Sequence, residues 1–264
     1  MALVWPRRFW QVPSVFERPG PHVFALPIGT DFATQLVQGI KERFAGQPPD
    51  LLARTRLFVN SQRMLRRVTD AFVAAEAGFL PQMLVVTELD KWADLADFPA
   101  EISPLRRQLE LAKLIDALLR TQPDLAPRSA LFDLAESLAT LLGEMQEEGV
   151  STLDIARLDV ANHSAHWARS LAFLQIIAPI FDDPADVQAR QRLSALRLAE
   201  VWRKQAPDGP VIVAGSTGSR GATFVLMQAV ARLDQGAIVL PGFDFDLPAK
   251  VWAAMDDGDR KSVV

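Results

Sequence analysis

The sequence predicts an α/β protein in which a parallel sheet is interrupted by a large all-helical insertion. Five short apolar runs have the length and the β-branched or aromatic content of strands. They lack the alternation of a half-exposed strand, which is typical of strands buried on both faces of a parallel sheet. The runs are 22–26, 56–59, 83–87, 211–214 and 237–240.

Amphipathic helices are predicted between these runs, which gives the alternation of strand and helix found in α/β folds. After the first run, large apolar residues recur every four positions from Phe32 to Phe44, and Asp31 is placed to cap the first turn. After the second run, Ser61 is the predicted N-cap of another amphipathic helix.

A predicted helical insertion follows, because no strand signal occurs between Ser103 and Gln205. Ser103-Pro104 is a typical helix start, and a stripe at 131–145 keeps helical spacing until Gly149. Asp183-Pro184 is predicted to open the last helix of the insertion. The predicted parts are the first α/β part at 20–102, the insertion at 103–206, the second α/β part at 207–255, and a disordered tail at 256–264.

Composition favours a globular cytoplasmic protein. The chain has 264 residues, of which 49% are hydrophobic, so it can bury a sizeable core. Cysteine is absent, which excludes disulfides and thiolate metal ligands. The short apolar stretch at 1–5 is broken by Pro6 and Arg7, so it is far shorter than the apolar region of a signal peptide or a membrane span. We therefore expect a soluble cytoplasmic protein with no membrane association.

The charge pattern allows a local nucleic-acid surface rather than a general one, because the net charge is -4. Five arginines and no acid lie between Arg54 and Arg67. Of these, Arg63, Arg66 and Arg67 project from one side of the helix that starts at Ser61. Ligands of open α/β sheets gather at the carboxyl ends of strands, so Ser61 and these three arginines are the predicted DNA contact. A plain solvated helix face is the more common alternative.

Two turns between a strand and a helix stand where an α/β fold can bind phosphate. The first, from Leu26 to Asp31, lacks the glycines and the lysine of a Walker A loop, and the Asp31 carboxylate would repel a phosphate. The second follows the run at 211–214 and offers amides, hydroxyls and a guanidinium at a helix start. It either binds an anion or is a tight turn that caps the helix. Its residues are Gly215, Ser216, Thr217, Gly218, Ser219 and Arg220.

Signals for metal binding and catalysis are weak. His163 and His166 stand three residues apart without a third ligand at matching spacing. Asp244 and Asp246 follow a strand, where carboxylates can hold magnesium, but their alternation with phenylalanine is also typical of an anchored loop. No nucleophile-elbow or zinc-protease motif is present in the sequence. We therefore expect no catalytic residue and no metal site in this chain.

Six short segments follow one another along the chain, and three of them lie within the predicted insertion. They are LFVNSQRM at 57–64, FDLA at 132–135, EMQEEG at 144–149, SAHW at 164–167, GSTGSR at 215–220 and VLPGFDFD at 239–246. In this order the chain resembles, from about Val23 to Trp252, the amino-terminal region of the AddB subunit family of alphaproteobacterial AddAB helicase–nucleases, which act in double-strand break repair.

The resemblance implies a RecA-like parallel sheet of the superfamily 1 helicase type that has lost its catalytic groups. In the ATP-hydrolysing members the first loop is Walker A, and an acidic pair after a later strand holds magnesium. Pro27–Asp31 and Ala214–Ser216 stand at those places here. The resemblance therefore implies a non-catalytic module that guides DNA and docks an AddA-like helicase–nuclease subunit.

The resemblance also bears on cofactors. AddB proteins carry a carboxyl-terminal nuclease domain with an iron–sulfur cluster and magnesium, so neither is expected in this part. The segment at 256–264 departs from the family pattern, from which we expect a truncated chain. The alternative function is an enzyme that binds a nucleotide phosphate through the loop Gly215–Thr223.

Overall fold

The five predicted strands form one sheet in which every neighbouring pair is parallel. The computed structural model describes residues 20–91, 98–157, 164–248 and 250–251, with 156 and 164–170 described as backbone only. The tail predicted at 256–264 lies outside these ranges. The strands are β1 Val23–Pro27, β2 Arg56–Val59, β3 Gln82–Val85, β4 Val211–Ala214 and β5 Gly236–Phe243. Their order in the sheet is β1-β5-β4-β2-β3.

The strand boundaries follow the apolar runs closely except at β3 and β5. The predicted bounds of β2 and β4 are confirmed. The run at 83–87 ends as a strand at Val85, because the chain then enters a 3-10 helix at Val86–Lys91. Val86 and Leu89 of that helix are buried, so apolar content did not distinguish the strand from the helix after it.

Helices account for most of the remaining described residues. They are α1 Phe32–Phe44, α2 Asp50–Arg54, α3 Gln62–Ala74, α4 Pro104–Thr121, α5 Leu131–Glu148, α6 Thr152–Ala156, α7 Ser164–Ile177, α8 Val187–Lys204 and α9 Gly221–Ala231. None of the helices in the described ranges has both the length and the apolar character that a membrane crossing requires.

The chain divides into two compact units. Of the described residues, the sheet unit comprises 20–85, Pro207–Thr217 and those from Val230 to Val251, so it contains the five strands with α1, α2 and α3. The helical unit consists of Val86–Ala206 and Gly218–Ala229.

The core of the sheet unit lies between the strands and two helices. Leu57 and Val59 of β2 are fully buried against an apolar cluster that includes Leu36 of α1 and Phe72 of α3. Helices α1 and α3 also pack against each other. Full burial of one such side chain stabilises the fold by about 1.5–3 kcal/mol, so this cluster fixes α1 and α3 on the sheet.

The helix boundaries in the helical unit come from local capping groups. The Ser103 hydroxyl accepts a hydrogen bond from the amide of Arg106 at 3.3 Å, and Pro104 occupies the first turn. Gly149 ends α5 in the left-handed conformation with φ of 73°, which an L-residue with a side chain rarely adopts. These starts and stops are confirmed as predicted, since each depends on groups a few residues apart.

The predicted start of the last insertion helix is wrong. Helix α8 begins at Val187 with Asp186 at the N-cap, three residues later than Asp183-Pro184 indicated. The carboxylate of Asp183 instead accepts a hydrogen bond from Arg107 in an ion pair. Leu196 of α8 is 40% exposed, whereas Trp202 of the same helix is buried.

Arg107 is the centre of a buried polar network in the helical unit. Its side chain is 8% exposed, and its Nε lies 2.8 Å from Asp186 Oδ1 and its Nη2 2.6 Å from Asp183 Oδ2. Its Nη1 lies 3.1 Å from Glu110 Oε2, and Gln146 Nε2 donates to the second Asp186 oxygen at 2.9 Å. Although desolvation opposes it, the hydrogen bonds that Arg107 donates to Asp186 and Asp183 raise the pKa of Arg107. The network joins α4, α5 and the start of α8.

We expect Arg107→Ala to lower the free energy of unfolding by about 3–5 kcal/mol, because it leaves the buried Asp186 carboxylate and the partly buried Asp183 carboxylate without their cation. Denaturant unfolding followed by circular dichroism measures this loss. Arg106→Ala is the matched control on the same helix, because the Arg106 side chain is 74% exposed and pairs with Glu110 at the surface. A change of similar size in both variants would contradict the role of the buried network.

Candidate nucleic-acid interface

The carboxyl ends of the parallel strands bring several predicted site residues to one edge of the sheet unit. Register pairs Val59 of β2 with Ala214 of β4, and Ala214 with Val239 of β5. The next residues of β2 and β4, Asn60 and Gly215, therefore leave the sheet side by side. This is the edge at which open α/β sheets bind their ligands.

Gly215 is required at the exit of β4. Its φ of 78° lies in the left-handed region, and a Cβ at this position would lie 3.4 Å from the Phe32 ring and 3.6 Å from Asn60. Its amide donates to the carbonyl of Val239 at 3.0 Å. The amide of Gly215 therefore adds a hydrogen bond between the carboxyl ends of β4 and β5.

Ser61 caps α3 as predicted. Its hydroxyl accepts a hydrogen bond from the amide of Met64 at 3.2 Å and lies 3.3 Å from Asn60 Oδ1, to which it donates. The hydroxyl that was predicted to contact DNA thus has a structural function at the helix start.

Arg63 and Arg66 are exposed on the first turns of α3. Within the described ranges, neither guanidinium takes part in a hydrogen bond or an ion pair. The first turn of α3 carries no acid of its own. Cations at a helix N-terminus oppose the helix dipole, and like charges three residues apart repel each other. The start of α3 is therefore a concentrated positive surface that an external anion would stabilise.

Arg67 differs from its two neighbours because it has an internal partner. Its Nη2 lies 2.9 Å from Oδ1 of Asp31, and the two side chains are 54% and 50% exposed. Asp31 occupies the N-cap position of α1, and its second oxygen accepts a hydrogen bond from the Thr34 hydroxyl at 3.1 Å. Although desolvation opposes it, the hydrogen bonds from Thr34 and the charge of Arg67 lower the pKa of Asp31. Asp31 is therefore ionised at neutral pH.

The turn after β1 offers a carboxylate where a phosphate loop would offer cations and amides. Gly29 has a φ of 81°, Ile28 is 69% exposed, and the Thr30 hydroxyl donates back to the Pro27 carbonyl at 2.9 Å. The hydroxyl and the carboxylate of this turn thus already have partners within the sheet unit. Its chemistry disfavours a nucleotide phosphate, as the sequence indicated.

The loop predicted to bind an anion is divided between the two compact units, with 215–217 in the sheet unit and 218–220 in the helical unit. In the helical unit, Arg220 Nη1 lies 3.0 Å from Glu147 Oε1, and the amide of Gly221 donates to Glu148 Oε1 at 3.2 Å. A Cβ at 221 would lie 2.7 Å from the Glu147 carbonyl oxygen, so this contact requires glycine. Protein carboxylates therefore already occupy two donors at the start of α9, the Arg220 guanidinium and the Gly221 amide.

The carboxylates after β5 form a turn rather than a metal cluster. Asp244 Oδ1 accepts a hydrogen bond from the amide of Asp246 at 2.9 Å, and the rings of Phe243 and Phe245 lie 4.8 Å apart. Within the described ranges, no group of three or more potential ligands could hold a metal ion. His163 lies outside those ranges, and the side chain of His166 is not described.

Comparison of the chain with models of known protein families and with curated proteins finds no match. Arg63 and Arg66 are the predicted site residues whose guanidiniums remain available to a ligand at the sheet edge.

We expect Ser61→Ala to lower the free energy of unfolding by about 1 kcal/mol, because the amide of Met64 loses its capping acceptor. Thermal or denaturant unfolding measures the change. Ser61→Asn keeps a capping oxygen and should retain nearly the stability of the parent protein. Equal unfolding of Ser61→Ala and the parent protein would contradict the capping role.

Proposed function

We propose that this chain is a non-catalytic DNA-handling module that contacts the sugar–phosphate backbone through Arg63 and Arg66. The observation that carries the proposal is a pair of exposed guanidiniums that have no ionic partner among the described residues, on a helix start that follows the carboxyl end of β2. Two guanidiniums on neighbouring turns of one helix suit a polyanion better than a single small anion, because each of them can contact a different phosphate.

The chemistry of arginine favours phosphate as the partner. The planar guanidinium presents its donors in a fork that matches two oxygens of one phosphate. Residues three apart on a helix have Cβ atoms about 5–6 Å from each other. Phosphates of one DNA strand follow at about 3.4 Å along the helix axis, so two long arginine side chains can reach successive phosphates. Such contacts position the backbone and carry no base sequence information.

The fold class is compatible with the helicase-like part of the proposal. We infer that the parallel sheet is of the RecA-like, superfamily 1 type that the resemblance to AddB implies. In that case the turns after β1 and β4 correspond to the places that hold phosphate and magnesium in ATP-hydrolysing members. Here those turns carry Asp31 and Gly215, which supports a module without ATP hydrolysis. Docking on an AddA-like subunit belongs to the same proposal and follows from the resemblance alone.

A titration with ATP and magnesium separates this proposal from a nucleotide-binding enzyme that uses the loop Gly215–Thr223. Because Arg220 and Gly221 already contact Glu147 and Glu148, we expect no saturable heat in calorimetry. Saturable binding that Gly218→Asp abolishes would favour the enzyme and oppose the scaffold role.

We expect the chain to bind fluorescently labelled single strands or duplex ends with an affinity that falls as salt rises. Arg63→Ala and Arg66→Ala should each weaken binding by a similar factor for all sequences and reduce the salt slope by about 1. Fluorescence anisotropy across a salt series measures both quantities.

Arg232→Ala is the matched control for the loss of one positive charge. Arg232 is exposed, lies between α9 and β5 at the amino end of that strand, and makes no hydrogen bond or ion pair within the described ranges. Its loss should leave DNA affinity nearly unchanged. If Arg232→Ala weakens binding as much as Arg63→Ala, the attraction is general rather than local, and the proposed interface is wrong.

A further inference from the structure

Three arginines share the start of α3, but one carboxylate from another element holds the third. Arg63 and Arg66 have no ionic partner within the described ranges, whereas Arg67 is held by Asp31 at 2.9 Å. Asp31 reaches α3 from the turn after β1, far away in sequence. The parallel sheet and the packing of α1 on α3 bring the two residues together.

The geometry of this ion pair allows exchange for another anion. Both side chains are about half exposed, at 54% for Arg67 and 50% for Asp31, so solvent and ligands can reach the pair. A single guanidinium nitrogen contacts a single carboxylate oxygen, rather than two parallel contacts. A phosphate offers the guanidinium the two-oxygen contact that it lacks here.

Asp31 also affects the neighbouring arginines through its charge. It places one negative charge beside the positive helix start, and its pKa is lowered, so the charge persists at neutral pH. A phosphate that approaches Arg63 or Arg66 from the side of Arg67 therefore meets like-charge repulsion. The Asp31 carboxylate thus both binds the guanidinium of Arg67 and repels an approaching phosphate.

From these contacts we propose that Asp31 is an internal competitor for backbone phosphate, which holds Arg67 and thereby limits the affinity of the α3 arginine cluster for DNA. The inference rests on the proposed function, because it assumes that Arg63 and Arg66 bind the phosphate backbone. DNA binding then includes an exchange in which a phosphate replaces the Asp31 carboxylate on Arg67. The carboxylate sets the number of phosphates that the cluster engages.

The variant Asp31→Asn tests this inference with little risk to the fold. Asparagine is as good an N-cap as aspartate, and Asp31→Ser is a second uncharged N-cap variant. We expect both to bind a labelled single strand roughly threefold to tenfold more tightly at low salt, since one further phosphate contact becomes available. The salt slope should become steeper by about 1. The double variant Asp31→Asn/Arg67→Ala should return to nearly the affinity of the parent protein.

Asp50→Asn is the matched control for a gain of one positive charge. Asp50 forms a similarly exposed ion pair with Arg54 at 2.9 Å, and the side chains of Asp50 and Arg54 are 62% and 51% exposed. The pair lies in α2, at the amino end of β2. The inference is overturned if Asp50→Asn tightens binding as much as Asp31→Asn. It is also overturned if the double variant stays as tight as Asp31→Asn, because the gain would then not come from Arg67.

Different results would contradict the DNA interface and the competitor role of Asp31. If Arg63→Ala and Arg66→Ala weaken binding but neither Asp31 variant tightens it, the DNA interface stands and the competitor role is wrong. If the parent protein and the Asp31 variants all fail to bind DNA in the same anisotropy assay, the proposed function fails and the inference with it.

Discussion

The parallel pairing of β4 with β2 and β5 is the constraint on which the candidate site depends. β4 follows α8 in the chain, more than 100 residues after β3. Its register nevertheless aligns the ends of β2, β4 and β5 at one edge of the sheet. Every strand in a parallel sheet delivers its following turn to that same edge. The composition of the edge is therefore decided by topology, which places residues distant in sequence, such as Asp31 and Arg67, within hydrogen-bond distance.

Features with local causes could be predicted from the sequence. Strands buried on both faces are continuous apolar runs, so β2 and β4 were predicted at their observed bounds. The caps Ser61 and Ser103 and the stop at Gly149 depend on groups within four residues, which a sequence pattern contains in full. The α/β class and the parallel sheet follow from the order of these local elements.

Pairings between elements could not be predicted in this way. Helical spacing groups Arg67 with Arg63 and Arg66, since all three project from one side of α3, but the position of α1 gives Arg67 its own carboxylate. Asp183 has the sequence signature of a helix start, yet the buried cation Arg107 determines its role. One available signal was missed. Glu147 and Glu148 end α5, where acids oppose the helix dipole, and such acids indicate a partner outside their own helix.

The charges at three helix starts explain why the arginine cluster on α3 suits an external anion better than the starts of α1 and α9 do. In an α/β fold the amides at a helix N-terminus attract negative charge. In the sheet unit, the start of α1 has the carboxylate of Asp31. In the helical unit, the start of α9 has the carboxylates of Glu147 and Glu148. The first turn of α3 has no acid and carries Arg63 instead. A mononucleotide would have to displace protein carboxylates at either of the first two places. At the third place a polyanion would meet exposed arginines instead, which is the physical basis for proposing a polyanion rather than a mononucleotide as the ligand of this chain.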